Sequence, residues 1–173
     1  KRGADAFVLD LRGNGGGLLD DAVDLTGLFI DQGPVVQVKD GDGRAKELAD
    51  QEPGVAFDRL VVVLVDCFSA SASEIVAAAL QDYRRAIIVG TSATHGKGTV
   101  QSLENLDARV DGDLELGSLK LTIQQFYRAN GDSTQIRGVA PHVHIPSFLD
   151  HQEVGEGKSE NARSAQRVVL MRT

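Results

Sequence analysis

"LVVVLVDCFSASASEIVAAAL", residues 60 to 80, is the stretch on which the architecture turns. "LVVVLVD" (Leu60 to Asp66) is the most apolar run in the chain and reads as a central, parallel strand. "IVAAAL" is the buried side of a helix that runs to about Tyr83. Between them Ser69, Ser71 and Ser73 alternate with alanines, so the chain leaves a strand through hydroxyls and enters a helix.

The flanks repeat this order. "AFVLDL" (Ala6 to Leu11) predicts a buried strand and "RGNGGG" (Arg12 to Gly17) a flexible loop. "LLDDAVDLTGLFI" places Leu18, Ala22, Leu25 and Phe29 on one helical face. Asp20, Asp21 and Asp24 lie elsewhere on that helix, in the early turns where its dipole favours acids. "PVVQVKD" is a second strand, and the polar, turn-rich residues 40–58 read as a surface excursion. "RAIIVG" is a further strand, followed by the loop "TSATHGKG". From Thr99 to Arg128 the pattern is mainly β, and "GVAPHVHIPS" is a loop with a short strand. The expected fold is a layered α/β domain with a β-rich C-terminal part.

The 173 residues, 42% hydrophobic and 25% charged, suit one globular domain. A net charge of −7 without a basic run argues against a nucleic-acid surface. No apolar stretch approaches the roughly 18 residues of a membrane span. The single cysteine, Cys67, excludes an internal disulfide and a cysteine-based zinc site. The chain runs almost at once into a strand, without the features of a signal peptide, and is expected to be a fragment of something longer. Residues 151–173 are expected to be a linker into a missing C-terminal segment, after a core spanning 1–150.

Neither glycine loop fits a nucleotide site. "RGNGGGL" has Gly13 and Gly15 for G-x-G but Leu18 where the third glycine belongs. "GTSATHGKGT" separates Gly90 from Gly96 by five residues and has Gly98 where a P-loop needs Ser or Thr. The first loop remains a turn needing positive φ, or a set of bare N–H groups able to donate to an anion. The second leaves Lys97 between two glycines, with no carboxylate within six residues.

Ser71-Ala72-Ser73-Glu74 has the form of a capping box, and capping does not exclude chemistry. A serine at a helix N-terminus stands beside unsatisfied N–H donors that can hold a developing oxyanion. Its base would be a histidine or Lys97. None of His95, His142, His144 and His151 lies in an informative motif, except His95 beside Lys97. A lysine base must be desolvated to be neutral near pH 7. His142 and His144 offer two imidazoles to a metal, with no third ligand nearby.

"FVLDLRGNGGGLLDDAVDLTGLFID", "LVVVLVDCFSASASEIVAAALQDYRRAIIVG", "HGKGTVQ" and "GSLKLTIQQFYRANGDSTQIRGVAPHVHIPS" together resemble the C-terminal processing peptidases, or tail-specific proteases. The likeness runs from about Ala6 to Asp150, and the tail "DHQEVGEGKSENA" is similar to the Gram-negative periplasmic branch. It implies a ClpP/crotonase-like catalytic core and a serine endopeptidase that acts on proteins recognised at their C-termini. By that resemblance Ser71 is the nucleophile, Lys97 the general base and Gln101 the residue that orients the lysine. The N–H groups of Ala72 and of Gly17, or else Gly16, are the implied oxyanion donors, and Asp82 matches an acid of less certain role. No metal or cofactor is implied. The implied partners are polypeptides with accessible C-termini, with an oligomer or an adaptor lipoprotein left open, in the periplasm or cell envelope.

The chain departs from that pattern at four places. His95 stands where an aromatic residue is usual, and could tune the field at Lys97. The loop before Lys97 is one residue longer, Thr91 replaces an acid, and Cys67 replaces a basic residue. The family's PDZ domain and the N-terminal part of its core are expected upstream. Two other readings stay open: an inactive fragment or scaffold of the same fold, and a binding protein whose helix mouth holds an anion.

Overall fold

A computed structural model describes residues 3–107, 115–148, 154–160 and 162–164. The elements run β1 (Ala6–Asp10), α1 (Leu19–Gly27), β2 (Gly33–Asp40), β3 (Ala45–Asp50), β4 (Leu60–Val65), α2 (Ala72–Asp82), β5 (Ala86–Gly90), β6 (Thr99–Asn105), β7 (Ser118–Arg128) and β8 (Val143–His144). A 3-10 turn follows at Glu156–Lys158.

β4 pairs in parallel with β1 and β5, and β5 with β8, giving a sheet of order β1-β4-β5-β8. The other sheet is antiparallel, of order β3-β2-β7-β6. Side chains alternate across a strand, so β4 presents Val61, Val63 and Val65 to one face, all fully buried. Ala86 and Ile88 continue that face on β5. The opposite face carries Val8, Leu60, Ile87 and Val143, which are exposed.

α2 packs against α1 and against strands of both sheets, β5 on one side and β2 and β7 on the other. This explains its composition. Every residue from Ala72 to Leu80 is buried, and alanines at 77, 78 and 79 let the neighbours approach on all sides. Truncating Leu80, with no exposed surface, to alanine would cost about 2–5 kcal/mol.

Three expectations need correction. β1 is not buried: it is an edge strand whose residues are mostly exposed, with Phe7 resting against Phe29 and Phe57. α1 begins at Leu19, leaving Leu18 70% exposed, and its buried residues are Ala22, Val23 and Thr26. That face is turned from the expected one because Thr26 satisfies its hydroxyl on the Ala22 carbonyl and can enter the core. The excursion at 40–58 contains β3, hairpinned to β2 by a turn in which Asp40 accepts from the N–H groups of Asp42 and Arg44. No helix among the described residues is long and apolar enough to cross a membrane.

Candidate active site

The turn from β4 to α2 is built on Asp66, buried at the end of the apolar strand. Its carboxylate accepts from the N–H groups of Phe68 and Ser69 in its own turn and from Gly13 in the glycine loop. The loop is thereby tied beside the serines. A second tie comes from Asn14, whose carbonyl accepts from the Ala70 N–H at 2.9 Å.

The three serines divide their work. Ser69, fully buried, donates to the Leu11 carbonyl at 2.7 Å and accepts from the Asp66 N–H. Ser73 donates to the Asn14 carbonyl at 3.1 Å. Ser71, the middle one, opens α2 in a reciprocal capping box with Glu74, as its spacing predicts. The Glu74 amide also donates to the Ser71 carbonyl at 2.9 Å.

Ser71 sits at φ 59°, ψ −117°, a backbone conformation that L residues rarely adopt. Such strain costs about 1–3 kcal/mol and persists only where the surroundings enforce it. Here they do. Gly16, at φ 103°, lies so close that an added Cβ would stand 2.8 Å from Ser71 Cβ and 2.9 Å from the Ala72 nitrogen. The turn resembles in form the strained strand-to-helix elbow that exposes a nucleophile.

Glu74 binds this turn to the Lys97 loop. Its carboxylate, with no exposed surface, accepts from Ser71 N–H (2.9 Å), Gly96 N–H (2.8 Å), Lys97 N–H (3.0 Å) and the Thr94 hydroxyl (2.5 Å). Burial pushes its pKa above the ordinary carboxylate value, and those four hydrogen bonds pull the other way. The glycines beside Lys97 are there for close approach: a Cβ on Gly96 would be 2.8 Å from the Ile136 backbone, and one on Gly98 3.0 Å from the Gln135 nitrogen.

Ser71, Ala72, Gly17, Lys97, Gln101 and Lys120 line one cavity of about 360 Å³. Burial, and after it the positive charge of Lys120, lower the Lys97 pKa; Glu74 and Glu156 oppose this. The Gly16 N–H is already donated to Asn14 Oδ1 at 2.9 Å, whereas none of the described hydrogen bonds occupies the N–H of Gly17 or of Ala72. Gln101 is exposed on β6, and no hydrogen bond joins Lys97 Nζ to Gln101 or to Ser71 Oγ. A larger cavity, about 730 Å³ between α1 and residues 49–56, holds none of these groups.

The remaining candidates lie apart from that cavity. Asp82, at the far end of α2, accepts from Arg128 through both oxygens (2.7 and 3.1 Å) and from Asn130. His95 lines a different cavity with Cys67, its Nδ1 buried without a partner. His142 Nδ1 accepts from the Ile88 N–H at 3.0 Å, which occupies that nitrogen, and the strand itself holds only Val143 and His144. Among the described residues no group of three or more His, Cys, Asp or Glu side chains could hold a metal ion. His151 lies outside the described residues.

Sequence reasoning treated Glu74 as a cap and overlooked Asp66, Asn14 and Gln135. For Asp66 a signal was present, an acid closing the most apolar strand. Gln135 acts across 37 residues on Gly98 and leaves no local trace.

The chain matches the model of the peptidase S41 family over residues 1–145. It is 51% identical over 160 residues to a tail-specific protease of Haemophilus influenzae, covering 92% of this chain and 23% of that protein. It is 39% identical over 144 residues to the carboxy-terminal processing protease CtpA of Bacillus subtilis, covering 83% of this chain and 29% of that protein. The photosystem II D1 C-terminal processing protease superposes with a TM-score of 0.70 at 30% identity, over 82% of this chain and 35% of that one. The chain thus spans less than a third of these two curated relatives. A family model that covers the strand, the serine turn and the lysine loop in one continuous match decides the classification, and the chain belongs to peptidase family S41.

Proposed function

We propose that this chain carries the catalytic part of a serine endopeptidase that cleaves polypeptides recognised at their C-termini. Ser71 Oγ attacks the peptide carbonyl while a neutral Lys97 takes its proton and returns it to the leaving amine; water then hydrolyses the acyl-enzyme. The N–H groups of Ala72 and Gly17 receive the oxyanion. Gly17 is preferred to Gly16 because the Gly16 N–H is already donated to Asn14. Gln101 orients the lysine from β6.

The observation that carries this reading is one cavity into which a strained serine, a lysine of lowered pKa and two unclaimed N–H groups all open. A mere helix cap needs neither the strain nor the depressed amine. In the full-length protein the reading includes the periplasm or cell envelope as the place of work, and an oligomer or an adaptor lipoprotein as partner.

The test compares Ser71→Ala and Lys97→Ala with the unaltered full-length protein on an unstructured polypeptide with an accessible C-terminus. Each variant is expected to lose at least about 10³-fold in kcat/KM while keeping its melting temperature. Cleavage by Ser71→Ala at the unaltered rate would remove the nucleophile and with it the mechanism.

A further inference from the structure

The stretch Gly155-Glu156-Gly157 mirrors Gly96-Lys97-Gly98, and the two pack together. The Glu156 N–H donates to the His95 carbonyl at 2.7 Å, just before the lysine tripeptide. The Glu156 carboxylate accepts from Gln135 Nε2 at 3.0 Å, and Gln135 Oε1 accepts from the Gly98 N–H at 2.8 Å, just after Lys97. Residues on both flanks of Lys97 are therefore held by Glu156, one directly and one through a buried glutamine. The glycines around Glu156 suit this close packing. Gly155 is at φ 122° with space for a Cβ only 3.1 Å from the His95 carbonyl oxygen, and Gly157 lies 3.1 Å from Ile136 Cγ2 by the same measure.

We propose that Glu156 is a positioning residue for Lys97, and that residues 154–158 belong to the catalytic unit. This rests on the reading of Lys97 as the general base. Two flanking glycines make the backbone beside Lys97 pliable, and catalysis suffers from displacements of about 1 Å. Glu74 fixes the inner side of that loop through the N–H groups of Gly96 and Lys97. The His95 carbonyl and the Gly98 N–H, on the outer side, depend on Glu156 and Gln135. Glu156 is absent from the walls of the Ser71 cavity, so its hold on Lys97 is indirect.

The test is steady-state proteolysis by the full-length protein. Glu156→Ala should lower kcat about tenfold or more and leave KM within about twofold. Glu156→Gln keeps an acceptor for Gln135 Nε2 and should return kcat at its optimum to within about twofold of the unaltered enzyme. Of the charged groups acting on Lys97, Glu74 and Glu156 favour the ammonium and Lys120 disfavours it. Losing the Glu156 charge should therefore move the acid limb of the Glu156→Gln kcat profile to lower pH. An unchanged kcat in Glu156→Ala overturns the proposal, as does a Glu156→Gln variant that melts normally yet is as slow as Glu156→Ala. If Glu156→Ala fails to fold, an unshifted limb in Glu156→Gln overturns it equally. Lys97→Ala, measured alongside, separates the two levels: activity there defeats the general-base reading, whereas an inactive Lys97→Ala beside a normal Glu156→Ala defeats only the role of Glu156.

Discussion

Ser71 and Lys97, 26 residues apart, share one acceptor: their backbone N–H groups both donate to Oε2 of Glu74, at 2.9 and 3.0 Å. The distance between the serine turn and the lysine loop is thus set by a single buried carboxylate.

Replacing Glu74 by glutamine should break this arrangement despite the matched shape. One end of the amide must present NH₂ to N–H donors, whichever way it is turned. The expected loss is about 2–4 kcal/mol in denaturant unfolding, from buried donors left unpaired. The pH dependence has a definite sign. The folded pKa of Glu74 is raised above its ordinary 4.5, so its contribution to stability is complete below that value and is lost as pH rises through the folded pKa. That component of the slope should vanish in Glu74→Gln.

Lys120 supplies a second handle on the base. Its charge disfavours the Lys97 ammonium, so Lys120→Gln should raise the Lys97 pKa and shift the acid limb of kcat/KM to higher pH. Rates near neutrality fall and recover on alkaline titration. Because Lys120 is exposed, added salt should shrink the difference between the two profiles. Identical profiles at low salt would show that Lys120 does not act on the base.

Gly16 and Gly17 should respond oppositely to alanine. A Cβ at Gly16 meets the Ala70 carbonyl at 2.7 Å and the Ala72 nitrogen at 2.9 Å, and the backbone there is at positive φ. A Cβ at Gly17 meets nothing within 4 Å and leaves its N–H in place. Gly16→Ala should lose about 2 kcal/mol or more of stability and most activity. Gly17→Ala should melt with the unaltered protein, and differential scanning calorimetry decides between them.

Asp82 is expected to matter for stability and not for turnover. Its ion pair with Arg128 joins the end of α2 to β7, with both side chains about 15% exposed. Arg128→Ala strands the carboxylate and should cost about 3 kcal/mol. The remaining folded enzyme should keep its kcat. A large fall in kcat at temperatures where the variant is fully folded would instead give Asp82 a part in the reaction.

The sequence made the elements around Ser71 legible because they are local: an apolar strand, small polar residues and an alanine-rich helix follow one another without interruption. Lys97 was legible only through the family likeness of its motif, since locally it reads as a surface lysine; the close backbone of residues 135 and 136 accounts for its flanking glycines. Glu74 was half legible. Its spacing from Ser71 announced a helix start, but nothing nearby said that it would also receive Thr94, Gly96 and Lys97. The docking of Glu156 was illegible, since a polar stretch rich in glycine reads as a connector until its partner is known. β1 misled for a related reason: β-branched composition reports pairing, and pairing on one side does not require cover.

The two faces of β4 carry nearly the same residue types, yet one is dry and the other wet. Val8, Leu60, Ile87, Val143 and Ile145 form an open aliphatic stripe, each more than 40% exposed. A polypeptide trimmed to these 173 residues should bind hydrophobic dyes and self-associate at micromolar concentrations, with that stripe as the adhesive surface. Kinetic comparisons among variants of that polypeptide would then measure clumping as much as catalysis.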